Sequence, residues 1–134
     1  MQLMPATGRE EAKNIRLPYS GIATLTNPES NIRLGTSYLA KMSQKFSGNP
    51  VLATAAYNAG PGNLRKWERN VPHGDDPLLF IESLPSRETR AFVERILTNL
   101  WIYRDRLGQK SPSLDDIVAG RWPRYEAQDS NGRN

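Results

Sequence analysis

Ala55-Ala56-Tyr57-Asn58-Ala59-Gly60-Pro61-Gly62 sets a phenol and a carboxamide side by side at the predicted end of a helix. Small alanines let neighbouring backbone approach closely, and Gly60 and Gly62 can take a positive φ without penalty. Pro61 fixes φ and stops the helix from running on. The run therefore predicts a rigid corner carrying two neutral hydrogen-bonding side chains, an arrangement suited to a polyhydroxylated ligand.

On either side of this corner the chain reads as helical. Thr7-Gly8-Arg9-Glu10 matches a capping box, with a short helix running toward Lys13. Asn14 to Thr26 mixes turn formers with scattered Ile and Leu and reads as an ordered loop. Asn27-Pro28 starts a helix whose apolar face is Ile32, Leu34, Tyr38, Leu39, Met42 and Phe46, and Gly48 ends it. Asn49-Pro50 repeats the start signal for a short apolar helix, Val51 to Tyr57, which belongs in a core. Asn63 to Asn70 forms another helix, with Leu64 and Trp67 facing inward. Ser86 caps the longest one, with Phe92, Val93, Ile96, Leu97, Leu100, Trp101 and Leu107 as its apolar positions and Gly108 as its end. In the tail, Leu114, Ile117, Val118, Trp122 and Tyr125 can pack a short helix against the domain, and Asp129 to Asn134 is expected to be disordered. No alternation strong enough for a strand is present, and no internal repeat.

A chain of 134 residues is about one domain. With 37% hydrophobic and 24% charged residues it is globular, though polar. A formal charge of +4 suits an anionic partner, and nucleic acid, acidic lipid and acidic cell-wall polymer all qualify. The arginines and lysines are interleaved with Glu and Asp, which reads as a salt-bridged, solvated face rather than a nucleic-acid surface. No cysteine is present, so thiolate chemistry is excluded. The single histidine, His73, makes a histidine metal site or a Ser-His-Asp arrangement improbable, and its turn-rich surroundings predict a solvated loop residue. No apolar run is long enough to cross a bilayer, and no signal peptide opens the chain.

Three side chains stand out as carriers of chemistry. Glu82 follows Leu78-Leu79-Phe80-Ile81 and precedes Ser83-Leu84-Pro85, so it is expected to be half-buried. A carboxylate so placed holds its proton unusually tightly unless paired; the alternative is that it caps the next helix or pairs with Arg87 or Arg90. Tyr57 can serve a ligand or simply pack, and Asn58 can serve a ligand or simply terminate the helix. Of Trp67, Trp101 and Trp122, two lie on predicted inner faces, where core packing outweighs sugar stacking.

Four segments, in order, carry a family resemblance. They are Met1-Gln2-Leu3-Met4-Pro5-Ala6-Thr7, Asn31-Ile32-Arg33-Leu34-Gly35-Thr36-Ser37-Tyr38-Leu39, the Ala55–Gly62 corner, and Glu82-Ser83-Leu84-Pro85 with Glu88-Thr89-Arg90 after it. Together they resemble the catalytic domain of soluble lytic transglycosylases, lysozyme-like enzymes that cleave bacterial peptidoglycan. The resemblance covers about residues 1 to 107. It implies an all-α, lysozyme-like domain over 1–108, truncated at its N-terminus, with 109–134 a partly disordered tail. It also implies cleavage of the β-1,4 bond between N-acetylmuramic acid and N-acetylglucosamine with closure of a 1,6-anhydro ring, by one glutamate rather than the usual carboxyl pair. Glycan strands are the implied partner, with no metal or cofactor, in the periplasm or cell envelope.

By position, Gln2 and Met4 resemble groove residues beside the cleaved bond. Tyr57 matches the tyrosine that reaches the reaction centre and supports it, and Asn58 lies beside it in the same motif. Glu82 matches a groove glutamate that contacts sugar or orients the site, not the acid/base. The family's acid/base glutamate belongs to a Glu-Ser pair ahead of the Met-Gln segment, and nothing in these residues matches it; Glu10 and Glu11 come after the motif. The resemblance therefore implies that this polypeptide alone is inactive or nearly so, and that apolar faces meant for the absent helix are exposed. A start codon assigned at an internal methionine accounts for both the missing glutamate and the missing signal peptide. A noncatalytic module that binds peptidoglycan without cutting it is the alternative.

Overall fold

A computed structural model of the chain describes residues 1–128, and the expected disorder of residues 129–134 lies outside them. Among the described residues the regular structure is entirely helical, as the periodicity predicts. The chain forms two compact units, Met1–Lys41 and Met42–Asn134.

The first unit holds α1 (Pro5–Asn14), α2 (Ile22–Thr26) and the beginning of α3 (Pro28–Lys45). α1 starts at Pro5 and not at the capping box. Proline takes the first helical position, where its missing N–H is no loss, and Met4 precedes it without a side-chain cap. Thr7 and Glu10 therefore lie inside the helix. The loop expected over residues 14–26 contains α2, which Gly21 enters with a φ of 74°. α1 and α2 meet closely at Gly8, where a methyl group would stand 2.7 Å from Leu25 Cδ2. Asn27 caps α3 as expected, its Oδ1 accepting the Ser30 N–H at 2.9 Å. Leu34 is fully buried, whereas Ile32, expected on the same face, is exposed. Residues two apart on a helix point to opposite sides, so one of the pair had to face water.

Glu11 is buried in this unit, and both of its carboxylate oxygens are engaged. Oε1 accepts from Lys41 Nζ at 3.0 Å and Asn14 Nδ2 at 3.3 Å, and Oε2 accepts from Ser37 Oγ at 3.0 Å. Lys41 Nζ also reaches Glu10 at 3.1 Å. Hydrogen bonds to Glu11 and then Glu10 raise the Lys41 pKa. A raised lysine pKa favours the folded state throughout neutral pH, and that contribution is lost only as pH climbs through the raised value. Replacing Lys41 with Met leaves the buried carboxylate without its cation. The expected cost is about 2 kcal/mol, since hydrogen bonds to charged groups contribute ~1.5–3 kcal/mol. Urea unfolding at pH 7 measures it, and a loss below about 0.5 kcal/mol, the range of ordinary surface substitutions, would show that the pair is merely a surface contact.

The second unit takes in the end of α3, then α4 (Pro50–Ala59), α5 (Pro61–Asn70), α6 (Pro77–Glu82), α7 (Arg87–Arg106) and α8 (Pro112–Val118). Asn49 Oδ1 caps α4 by accepting from Val51 and Leu52 N–H. Val51, Ala55 and Ala56 are fully buried, so α4 is the expected core helix, and α7 and α5 pack on it. It runs two residues beyond the expected end, so Tyr57 and Asn58 lie in its last turn. α5 likewise begins at Pro61 rather than Asn63. Pro61 opens the next helix as well as closing the last, and only Gly60, not Gly62, takes a positive φ.

Asp76 caps α6 and Ser86 caps α7, the latter accepting the Thr89 N–H at 3.1 Å. Val93 and Leu97 form the buried stripe of α7. Leu107, predicted for that stripe, is exposed, and Arg104 is buried in its place. At seven residues beyond Leu97, Arg104 continues the stripe, whereas Leu107 falls on another face. Its guanidinium donates to the Lys110 and Glu126 carbonyls and lies 5.4 Å from the Tyr125 ring centre.

The described part of the tail is tied to this unit. Trp101 Nε1 donates to Ser113 Oγ at 3.1 Å, Tyr125 N–H to the Gly48 carbonyl at 2.8 Å, and Trp122 Nε1 to Asp75 Oδ1 at 2.7 Å. Ile117 packs inward and Val118 does not. His73 is not the solvated residue expected. Its ring stands edge-on to Phe80 (5.3 Å) and Trp122 (5.7 Å), because the tail returns over the 71–76 loop. That return cannot be read from the loop's own turn formers.

Nearby Glu68 has its pKa raised by burial, against opposing pulls from Arg65, His73 and Arg69. The sign follows: a raised carboxyl pKa adds stability below the unfolded value of 4.5 that is lost as pH rises through the folded value. Glu68→Gln is therefore expected to lose less stability than the parent between pH 4 and pH 7, measured by urea midpoints across that range. Parallel pH profiles would show that burial leaves the carboxyl unaffected.

Candidate functional site

The corner is built from backbone. Gly60 stands at φ 88° and ψ 146°, ending α4 through its N–H to the Ala56 carbonyl at 2.9 Å and opening α5. That conformation is accessible essentially to glycine alone. It holds Tyr57 and Asn58, both half-buried, on the last turn of α4.

The Tyr57 ring lies parallel to Phe92 of α7, centroids 6.0 Å apart and planes 2° from coplanar. Phe92 was expected only as one apolar position of α7; here it fixes the plane of the tyrosine. Asn58 Oδ1 accepts from Thr89 Oγ1 at 2.7 Å, and Thr89 Oγ1 is 2.9 Å from Ser86 Oγ. Thr89 is buried. With its oxygen engaged, Asn58 presents its amide N–H groups as the free side of the carboxamide, giving a donor of fixed orientation. Thr89 and Ser86 therefore belong to the site, although the sequence marked them only as part of a motif and as a helix cap. Their spacing from Asn58 is 31 and 28 positions, and no local pattern links them.

Glu82 departs from expectation. Its side chain is 67% exposed, and Arg90 Nη1 stands 4.0 Å from its Oε2. In so short a helix Pro77, Phe80 and Ile81 take the inward positions, which turns Glu82 outward. The pairing with Arg90 foreseen as an alternative is present. Glu82 is the C-terminal residue of α6, and α6 packs on α7, the helix that carries Thr89 and Phe92.

Gln2 and Met4 lie in the first unit, and both are exposed. Their segment is anchored by Asn31, whose Nδ2 donates to the Met1 carbonyl at 2.6 Å and to the Leu25 carbonyl at 2.9 Å. Gly35 leaves room for the Met1 side chain, which a methyl group there would overlap. Asn31 and Gly35, both in the second quoted motif, thus hold the first. Among the described residues no group of three or more His, Cys, Asp or Glu side chains could hold a metal. No described helix is long and apolar enough to cross a membrane.

The second unit thus fixes a tyrosine and an oriented carboxamide at a glycine corner, and comparison with known proteins supplies the family. The Transglycosylase SLT domain family matches residues 1–80, and the chain belongs to that family. It is 43% identical over 117 residues to the soluble lytic murein transglycosylase of Salmonella typhimurium, covering 87% of this chain and 18% of the relative. In structure it is similar to the 70 kDa soluble lytic transglycosylase of Escherichia coli, with a TM-score of 0.77 and 38% identity over 93% of this chain and 20% of that one. The lytic transglycosylase of Pseudomonas aeruginosa gives a TM-score of 0.74 at 41% identity over 84% of this chain and 18% of its own. The expected lysozyme-like helical fold is thereby established. The chain spans about a fifth of the length of these relatives.

Proposed function

We propose that this chain is the glycan-binding and catalytic-domain portion of a peptidoglycan lytic transglycosylase of the periplasm or cell envelope. Its reaction is cleavage of the β-1,4 bond between N-acetylmuramic acid and N-acetylglucosamine, leaving 1,6-anhydro-muramic ends. The observation that carries this reading is the Tyr57-Asn58 corner, rigid in its backbone and oriented by Phe92 and Thr89, within a chain of this family. Tyr57 supports the transition state as a hydrogen-bond donor toward the charge that develops at the sugar. Asn58, Gln2, Met4 and Glu82 contact the glycan.

Among the described residues the buried Glu11 carboxylate is held by Lys41, Asn14 and Ser37, and Glu82 turns outward beside Arg90, so neither serves as the acid/base. Residues 1–134 by themselves therefore bind the strand without cutting it. The test uses purified sacculi, with the 134-residue chain and with a chain extended by the reading frame upstream of Met1. Anhydro-muropeptides are expected from the extended chain only, and Tyr57→Phe in that chain is expected to lower the rate about 100–1,000-fold, the scale of one transition-state donor. Release by the 134-residue chain would remove the inactivity claim, and no release by either would remove the enzyme assignment.

A further inference from the structure

Away from the corner, the second unit contains two adjoining cavities of about 440 and 290 Å³ that share Asn49, Leu52, Glu68 and Trp122. Tyr57, Asn58 and Glu82 line neither. Asn49 caps the start of α4 while Asn58 lies in its last turn, so about 13 Å of helix rise separates them.

The groups around this cleft are chemically mixed. Lys45, Arg65 and Arg124 stand at the larger cavity with the half-buried Glu68. None of these four charges makes a contact ion pair within 4.0 Å among the described residues, although Arg65, His73 and Arg69 pull on Glu68 at longer range. The smaller cavity adds His73, whose Nδ1 is buried with no hydrogen-bond partner among the described residues. Buried polar atoms are ordinarily satisfied, so an orphaned one at a cavity wall marks a place where something else supplies the partner. Trp122 forms an aromatic wall, its indole N–H tied to Asp75 Oδ1.

This set discriminates between ligand classes. A neutral sugar leaves three cations and a carboxylate without a contact ion pair. A nucleic-acid backbone or anionic lipid meets the cations but sets its phosphates against Glu68 and Asp75. A small molecule with both carboxylate and ammonium groups answers both signs, and amide groups supply a partner for His73. The larger cavity lies within the usual range for small-molecule sites, about 300–1,000 Å³.

We propose that this cleft is a second binding site, for a short zwitterionic peptide: Glu68 takes the ammonium, Arg65, Lys45 and Arg124 the carboxylates, and Trp122 the aliphatic face. Taking that peptide to be the one attached to the glycan rests on the function proposed above; the charge chemistry does not.

The test is ¹⁵N-detected NMR titration of the 134-residue chain with two separate probes, the sugar-free tripeptide alanyl-γ-D-glutamyl-lysine and chitotetraose. The tripeptide is expected to shift the Trp122 indole N–H saturably while leaving Tyr57 and Asn58 unmoved. Arg65→Ala with Arg124→Ala, both at exposed positions, is expected to weaken it about tenfold, and Glu68→Gln to weaken it severalfold. A Trp122 signal that does not move in the folded protein, or an affinity unchanged in the double arginine variant, would overturn the site. Chitotetraose reports separately: shifts at Tyr57 and Asn58 with the Trp122 indole unmoved uphold the glycan reading, and their absence defeats that reading without touching the cleft.

Discussion

Phe80→Ala is expected to lower the unfolding free energy by about 3–5 kcal/mol, the range for removing a fully buried phenylalanine. Phe80 is fully buried, and it is the residue on which several parts of the second unit converge. His73 stands edge-on to it at 5.3 Å and Trp122 at 5.5 Å, and Ile81 beside it is buried as well. Deleting the ring removes its transfer free energy and leaves a cavity that the short helix α6 is too constrained to close. It also frees the indole of Trp122 from one wall, so the tie between the tail and Asp75 should loosen. Total stabilities of domains lie near 5–15 kcal/mol, so the loss is a large fraction of the whole. Urea unfolding with tryptophan fluorescence reads both effects. Phe80→Leu should cost much less, because most of the volume remains. A loss below about 1 kcal/mol for the alanine variant would mean that the aromatic cluster is not part of the cooperative core.

Gly60→Ala is expected to cost about 1–3 kcal/mol, the scale of a non-glycine residue held in a forbidden backbone region. The space is open, since a methyl group at Gly60 meets no atom within 4 Å. The penalty therefore comes from φ 88° and ψ 146° alone. Gly62 is the internal control. It too is open, but it lies inside α5 without a positive φ, so Gly62→Ala should be neutral or stabilising by about 0.5–1 kcal/mol. Because relaxation at Gly60 turns the last helical turn, the alanine variant should also bind chitotetraose at least tenfold more weakly. Equal unfolding midpoints for the two variants would show that the corner is not strained against a side chain.

Much of the fold was legible because its signals are local. Asn27-Pro28, Asn49-Pro50 and Ser86 cap α3, α4 and α7 where the residues predict, and each cap depends on atoms within three positions. The misplacements share a cause as well. Thr7-Gly8-Arg9-Glu10 and Pro5 both offer a helix start, and the proline, two residues before Thr7, prevailed. Ile32, Leu107 and Val118 were apolar residues assigned inward that face solvent, since hydrophobicity does not state direction where several stripes compete.

The candidate site divides in the same way. Tyr57, Asn58 and the glycine that orients them lie within four residues, so the amino-acid sequence by itself determined the corner: essentially only glycine adopts that backbone, and proline after it favours a new helix start. What engages the corner was decided by tertiary structure alone. Phe92 behind Tyr57, Thr89 on Asn58, the outward turn of Glu82 and the enclosure of His73 by Phe80 and Trp122 join residues distant in sequence, and α4 packing on α7 brings the first two together. A side chain's chemistry is local; its partner depends on which helix faces are buried against each other.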